Sequence, residues 1–284
     1  VLVCDPRRNH LLADGNKSDP IDLQKLSELQ KNGSLRRVYH GHQTTRTLKE
    51  LTVAYRNLVR ESTRAKNRLK AVFRALGIST TGEKIYDYEE REQWLEQIAQ
   101  PGLRQRAAWL YEQICSTEKL RDEALQAVVK ECRKHAAVQR LRSVPGIGPV
   151  RAAEIVGIVD TPFRFRTKRQ IWAYAGLAVV TRSSADFDPS SGKVIRRNRA
   201  PITRGLNRNH NPHMKNVFKG AALDAARGEF KEYYENLLAR GLREELARVT
   251  LARKIAAIVL HVWKKGENFD PARIRNSSGD MTRS

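Results

Sequence analysis

The stretch LRSVPGIGPVRAAEIVGIVDTPFRFRTKRQIWAYAGLAVVTRSS, residues 141–184, decides how the chain is read. Leu141 and Val144 close an apolar helix face, Pro145-Gly146-Ile147-Gly148 turns the chain, and Pro149 opens a second helix. That helix turns Ala152, Ala153, Ile155 and Val156 inward. Proline suits a first helical turn because its missing N–H would be unpaired there anyway. The two glycines permit positive φ and leave the amides of the turn uncovered. Bare amides beside a helix N-terminus favour an anion, which makes Gly146, Gly148 and the adjacent Arg151 candidate phosphate contacts.

The anion follows from the charge. The 284 residues carry 53 Lys and Arg against 31 Asp and Glu, a formal net charge of +22. A field of that sign draws polyanions, DNA or RNA above all. The helix–PGIG–helix pattern looks like the helix-hairpin-helix module of DNA-handling proteins. Basic residues concentrate between Arg164 and Lys219, where thirteen Lys and Arg face only Asp186 and Asp188. Arg182, Arg196, Arg197, Arg204, Arg208 and Lys215 in this stretch are the candidate DNA- or RNA-binding cations. A membrane is disfavoured, because no apolar run approaches the roughly 20 residues that span a bilayer. Cys4, Cys115 and Cys132 are few and lack CxxC spacing, which points to a reducing compartment and against a structural zinc site.

Elsewhere the pattern is helical. Val1 to Cys4 reads as the tail of a buried strand, and Asp19 as the cap of a helix with Pro20 at its first position and Asp22 in its first turn. Two carboxylates there stabilise a helix terminus; three residues apart, they also share a face and can both reach one Mg²⁺. Leu48, Leu51, Tyr55, Leu58, Ser62, Ala65, Leu69, Val72 and Leu76 alternate steps of three and four, a heptad seam ended by Gly77. A second long helix, from about 103 to 136, carries Leu110, Ile114, Leu120, Ala124 and Val128. The arm can pair internally or with another protomer. Val194-Ile195 reads as a short strand or a basic loop, and the last helix, 242–263, turns Leu246, Val249 and Ala256 inward. His210 and His213 lack a third metal ligand of recognisable spacing and read as phosphate contacts or turn packing. Tyr174, between Ala173 and Ala175, reads as core.

Together KSDPIDLQKL, the long basic seam, LRSVPGIGPVRAA, FRTKRQIWAYAGLA, TRSS and the RGLN…H…K…FKGAA run resemble a DEDD transposase of insertion-sequence family 110, grouped with 116 and 902. The resemblance implies an RNase H-like (RuvC-like) domain with a carboxylate site for Mg²⁺, a coiled coil, and a C-terminal domain with a nucleophilic serine. It also implies a structured bridge RNA as guide RNA, DNA as substrate, and a homo-oligomer, dimer or tetramer, in the bacterial cytoplasm at the nucleoid. Carried over by position, Asp19 and Asp22 match the last two acids of the DEDD set as metal ligands, and Ser184 the serine nucleophile, with Ser183 as its neighbour. Taken alone, a Ser-Ser pair in a loop reads as solvent-facing. The first Asp and the Glu of the set have no counterpart, and Val1 stands where Met would, so a truncated, catalytically incomplete frame is expected.

The expected architecture is mainly α with a partial α/β part. It comprises an incomplete RuvC-like piece (1–45), a coiled-coil arm (46–137) and a helical C-terminal domain (138–270) with the helix-hairpin-helix at 138–157 and the serine loop. A flexible tail over 271–284 completes it. A non-catalytic DNA- or RNA-binding remnant of such an enzyme is the alternative.

Overall fold

The computed structural model describes residues 3–4, 9, 12, 18–35, 38–39, 43–182, 185–188, 193–196 and 202–271, with no side-chain description for 43, 181–182, 185–188, 193–196 and 202–204. The chain divides into two compact units, Val1–Gln43 and Thr44–Ser284. The fold is mainly helical, as expected.

In the first unit, α1 (Asp19–Lys31) begins one residue earlier than the sequence reading placed it. Ser18, in an extended conformation, occupies the cap position, and Asp19, Pro20 and Asp22 all lie in the first turn. Carboxylates there meet the positive end of the helix dipole. Val3 is exposed rather than buried, and its carbonyl accepts the Val38 N–H at 2.8 Å.

The second unit is built on two long helices, α2 (Arg46–Ala75) and α4 (Pro101–Cys132). Leu48 shares a core with Val128 and Cys132, while Phe73 shares another with Ala107 and Tyr111, so the helices run antiparallel. The Lys66–Glu118 ion pair lies between these ends. At 1.5 Å per residue α2 is about 45 Å long. Its seam pairs within the chain: Ser62, Ala65, Leu69 and Val72 are buried, and none of the nine seam positions is exposed. The distal core is closed by Ile85, Ile98 and α3 (Arg91–Glu96), whose Trp94 meets Phe73 edge-on. Leu120, read as inward, is exposed instead, on the outer face of α4.

The other helices are α5 (Ala136–Leu141), α6 (Pro149–Val159), α7 (Lys168–Tyr174), α8 (Pro212–Ala225), α9 (Lys231–Ala239) and α10 (Glu244–Lys265). Leu251, Ile255, Ala256 and Val259 of α10 lie fully buried in the same core as residues of α5, α6, α7 and α8. Leu246, at the start of α10, is exposed, against the sequence reading. Gly157 lets α6 approach α2: a Cβ there would stand 3.0 Å from the Lys49 Cα. The Thr45 hydroxyl donates to Asp160 at 2.9 Å beside this crossing.

Among the described residues between α7 and α8 are four strands, β1 (Val179–Arg182), β2 (Ala185–Asp188), β3 (Lys193–Arg196) and β4 (Ile202–Leu206). β1 pairs antiparallel with β4, and β2 with β3, so one ladder is nested in sequence inside the other. Val194-Ile195 thus belongs to a strand. The segment after Leu177 also forms one, because Val179-Val180-Thr181 is β-branched and finds a partner about 25 residues on.

Candidate nucleic-acid interface and serine segment

The PGIG turn joins α5 to α6 as the sequence foresaw. Gly146 adopts φ +80°, Gly148 caps α6 and Pro149 opens it. The two glycines differ in surroundings. A Cβ at Gly148 would meet nothing, whereas one at Gly146 would stand 2.3 Å from the Ala221 carbonyl oxygen of α8. The space beside Gly148 is thus open, as the sequence reading expects, whereas Gly146 lies against a helix. The small residues Gly220, Ala221 and Ala222 receive this turn.

Arg151 is held in the same contact. Its Nη1 donates to the Gly146 carbonyl at 2.8 Å and to the Asp224 carboxylate, and its guanidinium lies against Gly220. The residue read as a phosphate contact therefore clamps the hairpin onto α8. Arg208 is exposed, in the bend after β4, and Lys215 is half-buried on α8. Arg182, Arg196 and Arg204 lie on β1, β3 and β4, and Arg197 lies outside the described residues.

Ser183 and Ser184 also lie outside the described residues. Their neighbours are placed: Arg182 pairs with Ile202 at the end of one ladder, and Ala185 with Arg196 at the start of the other. The base of the first ladder is fastened tightly. The Asn207 N–H donates to the Ala178 carbonyl at 2.9 Å, and its side-chain amide donates to the Ala173 and Asn209 carbonyls. Asn211 donates its N–H to the Tyr174 carbonyl at 2.8 Å and its amide to the Tyr174 hydroxyl. The Asn211 Oδ1 accepts the His213 and Met214 N–H groups and so caps α8. The His210 ring covers Gly176, where a Cβ would stand 2.4 Å from the imidazole. Arg253 of α10 donates to the Leu177 carbonyl at 2.6 Å. The NRNHNPH run is therefore a buckle that ties β4 and α8 to the end of α7. Its partner lies about 35 residues earlier in the chain.

His210 packs against Gly176, one of the alternatives read for the two histidines. His213 is half-buried; burial, then Arg56 and Arg60, lower its imidazole below the ordinary value. Tyr174 packs against Phe165 with ring centroids 5.3 Å apart, as core residues do. Arg56 pairs with the mostly buried Glu154 at 3.3 Å; burial raises that carboxyl, and Arg56 opposes the rise.

In the first unit, Asp22 Oδ1 is buried and has no hydrogen-bond partner among the described residues. A carboxylate oxygen in that state fits a cation ligand, and Asp19 shares its helical turn. Among the described residues no group of three or more His, Cys, Asp and Glu side chains converges.

Two family descriptions fit the chain: "Transposase IS116/IS110/IS902 family" over residues 138–235, and the DEDD transposase of IS110 type over residues 3–77. Together they cover more than half of it. The chain belongs to the IS110/IS116/IS902 transposase family. Within that family it is 33% identical over 165 residues to the "Mini-circle putative transposase for IS117" of Streptomyces coelicolor, covering 58% of this chain and 37% of that protein. It is 25% identical over 178 residues to the "Transposase for insertion sequence element IS1111A" of Coxiella burnetii, covering 60% of this chain and 48% of that protein. The matched stretch spans less than half of each relative. The C-terminal family match takes in the PGIG hairpin, the strands and the Asn207–Asn211 buckle; the N-terminal match takes in α1 with Asp19 and Asp22. No helix among the described residues is long and apolar enough to cross a membrane.

Proposed function

We propose that this chain serves DNA strand cleavage and transfer by an insertion-sequence transposase, with Ser184 as nucleophile and Asp19 and Asp22 as Mg²⁺ ligands. The observation that carries the reading is the buckle from Asn207 to Asn211. It roots β1, the strand leading to Ser183-Ser184, together with its partner β4, on the end of α7. A nucleophile must be held in near-attack geometry, and a serine that follows a braced strand in a cation-rich segment supports that role. In the step itself the Ser184 Oγ bonds to phosphorus as its proton passes to a base, and the bridging sugar oxygen leaves with the bonding electrons and takes up a proton. Arg182, Arg196, Arg197 and Arg204 offset the charge that gathers on the non-bridging oxygens. Asp19 and Asp22 would hold Mg²⁺, which when bound supplies positive charge that lowers the pKa of a coordinated oxygen. The orphaned Asp22 Oδ1 supports that role, and phosphate oxygens would complete the shell.

DNA is the substrate in this reading. A structured bridge RNA guides it, the protein assembles as a homo-oligomer, and the helix–PGIG–helix element works as a DNA-binding helix-hairpin-helix with the Gly148 amide open to phosphate. The long antiparallel helices act as a coiled-coil arm, the first unit as part of a RuvC-like domain, and the location is the cytoplasm at the nucleoid. Ser184→Ala should abolish strand transfer on a donor–target DNA pair with guide RNA and Mg²⁺ while DNA affinity stays unchanged. Full activity in Ser184→Ala together with loss in Ser183→Ala would move the role to the neighbour.

The thirteen Lys and Arg between Arg164 and Lys219 support a second reading, a nucleic-acid-binding chain without catalysis of its own. In that case Ser184→Ala and Asp22→Asn change nothing measurable, and the wild-type chain binds but does not cleave.

A further inference from the structure

We propose that Phe163 is a stacking platform for an unpaired nucleic-acid base. This contact deepens the reading above and rests on it. Phe163 is 73% exposed, more than any other large apolar side chain among the described residues. It stands at the middle of a single 3₁₀ turn, Pro162–Arg164, whose flanks are buried: Pro162 on one side, Phe165 on the other.

That turn is braced on every side. The Thr161 hydroxyl oxygen accepts the Phe163 N–H, and the Arg164 guanidinium donates to the Ile158 carbonyl. The same guanidinium lies 4.6 Å over the Tyr174 ring. The Gln170 side chain accepts the Arg166 N–H at 2.6 Å, and Lys264 of α10 donates to the Arg166 carbonyl at 3.2 Å. A braced turn fixes the backbone that presents the phenyl ring to water, so a later partner has only the side chain to order.

The surroundings select the partner. Arg166, Lys168 and Arg169 are exposed, and no acidic residue occurs between Thr161 and Ala185. Cations attract a phosphate backbone, and an aromatic face takes any base that offers its own π-face. Bases in a duplex are stacked on one another, so the fitting ligand is a single strand, DNA or RNA. The site lies past the C-terminal end of α6, about 16 Å along that 11-residue helix from the PGIG turn, and so is separate from the hairpin. Trp109 of α4, 65% exposed, provides a contrast: Glu112, three residues on, is exposed and the local charge is mixed, whereas Asp160, three residues before Phe163, is half-buried and accepts the Thr45 hydroxyl.

The test uses the full chain and fluorescence anisotropy with end-labelled oligo(dT), oligo(rU) and a blunt DNA duplex, each of about 20 nucleotides or base pairs. Phe163→Ala should weaken single-strand binding at least about fivefold and change duplex binding by less than about twofold. Phe163→Tyr should keep the affinity, Trp109→Ala should leave it unchanged, and the salt slope should stay the same because no phosphate contact is removed. The oligo(dT) and oligo(rU) arms decide whether DNA or RNA supplies the base. Unchanged single-strand affinity in Phe163→Ala, an equal loss on duplex, or an equal loss in Trp109→Ala would overturn the proposal and leave nucleic-acid binding intact. A wild-type chain that binds none of the probes would overturn both.

Discussion

Gly146 lies against α8 so closely that a Cβ at this position would stand 2.3 Å from the Ala221 carbonyl oxygen. This contact locks the hairpin turn to the body of the second unit, and Arg151, bridging Gly146 and Asp224, closes it from the side.

Gly146→Ala should therefore be severely destabilising. The left-handed backbone, φ +80°, costs a side-chain-bearing residue about 1–2 kcal/mol, and the backbone clash adds about 1–3 kcal/mol more. Gly148→Ala, with φ −75° and open space around it, should cost less than about 1 kcal/mol, the difference in capping. Urea midpoints of the two variants compare them directly; equal losses would contradict the packing described.

Gly176 and His210 should be energetically coupled. Gly176→Ala meets the imidazole at 2.4 Å and also requires φ +65°. Removing the ring by His210→Ala should recover part of the loss, with a coupling of about 1 kcal/mol in a double-mutant cycle. The φ penalty should persist in the double variant. Strict additivity in thermal unfolding would mean that the ring does not cover the glycine.

Acidification should expose the burial of His213. Burial first, then Arg56 and Arg60, hold its imidazole below the ordinary value of 6.5, so the unfolded chain takes up the proton at higher pH than the folded one. The stabilisation from the neutral ring is present above about pH 6.5 and is lost as pH falls through the lowered folded value. Glu154 acts in the opposite sense, since burial raises its carboxyl and protonation relieves it. His213→Gln isolates the histidine: its stability should fall less than that of the wild type between about pH 7.5 and 5.5. Parallel curves would exclude the assignment.

Nucleic-acid affinity should fall steeply with salt. If Arg182, Arg196, Arg197, Arg204, Arg208 and Lys215 all neutralise phosphates, the slope of log K against log salt on duplex DNA is about −5. Arg208→Ala, at an exposed bend, should reduce it by about one. Arg151→Ala should act mainly on stability, because its guanidinium is already engaged by Gly146 and Asp224. A flat salt profile would remove the electrostatic basis of the reading.

Residues such as Pro149 and the seam of α2 made much of the fold legible beforehand. Period and punctuation are local properties: a proline fits one place in a helix, and apolar residues every three or four positions demand a partner. Leu120 and Leu246 escaped the same logic, because an apolar residue at a helical spacing does not say whether its face is covered. Asp19 as a cap was off by one residue, since Ser18 and Asp19 are equally capable and the backbone chose the first.

By itself the sequence determined the charge, the helical register, the glycine-bearing hairpin and the motifs that carry family membership, because each depends on residue type and spacing within a few turns. Only the tertiary structure decided that Arg151 is a clamp, that Gly146 is covered while Gly148 is open, and that Asn207 and Asn211 hold the ladder of β1 and β4 to the end of α7. Those facts depend on which distant backbone groups come within hydrogen-bonding distance. That is settled when the whole core packs, and no local spacing encodes it.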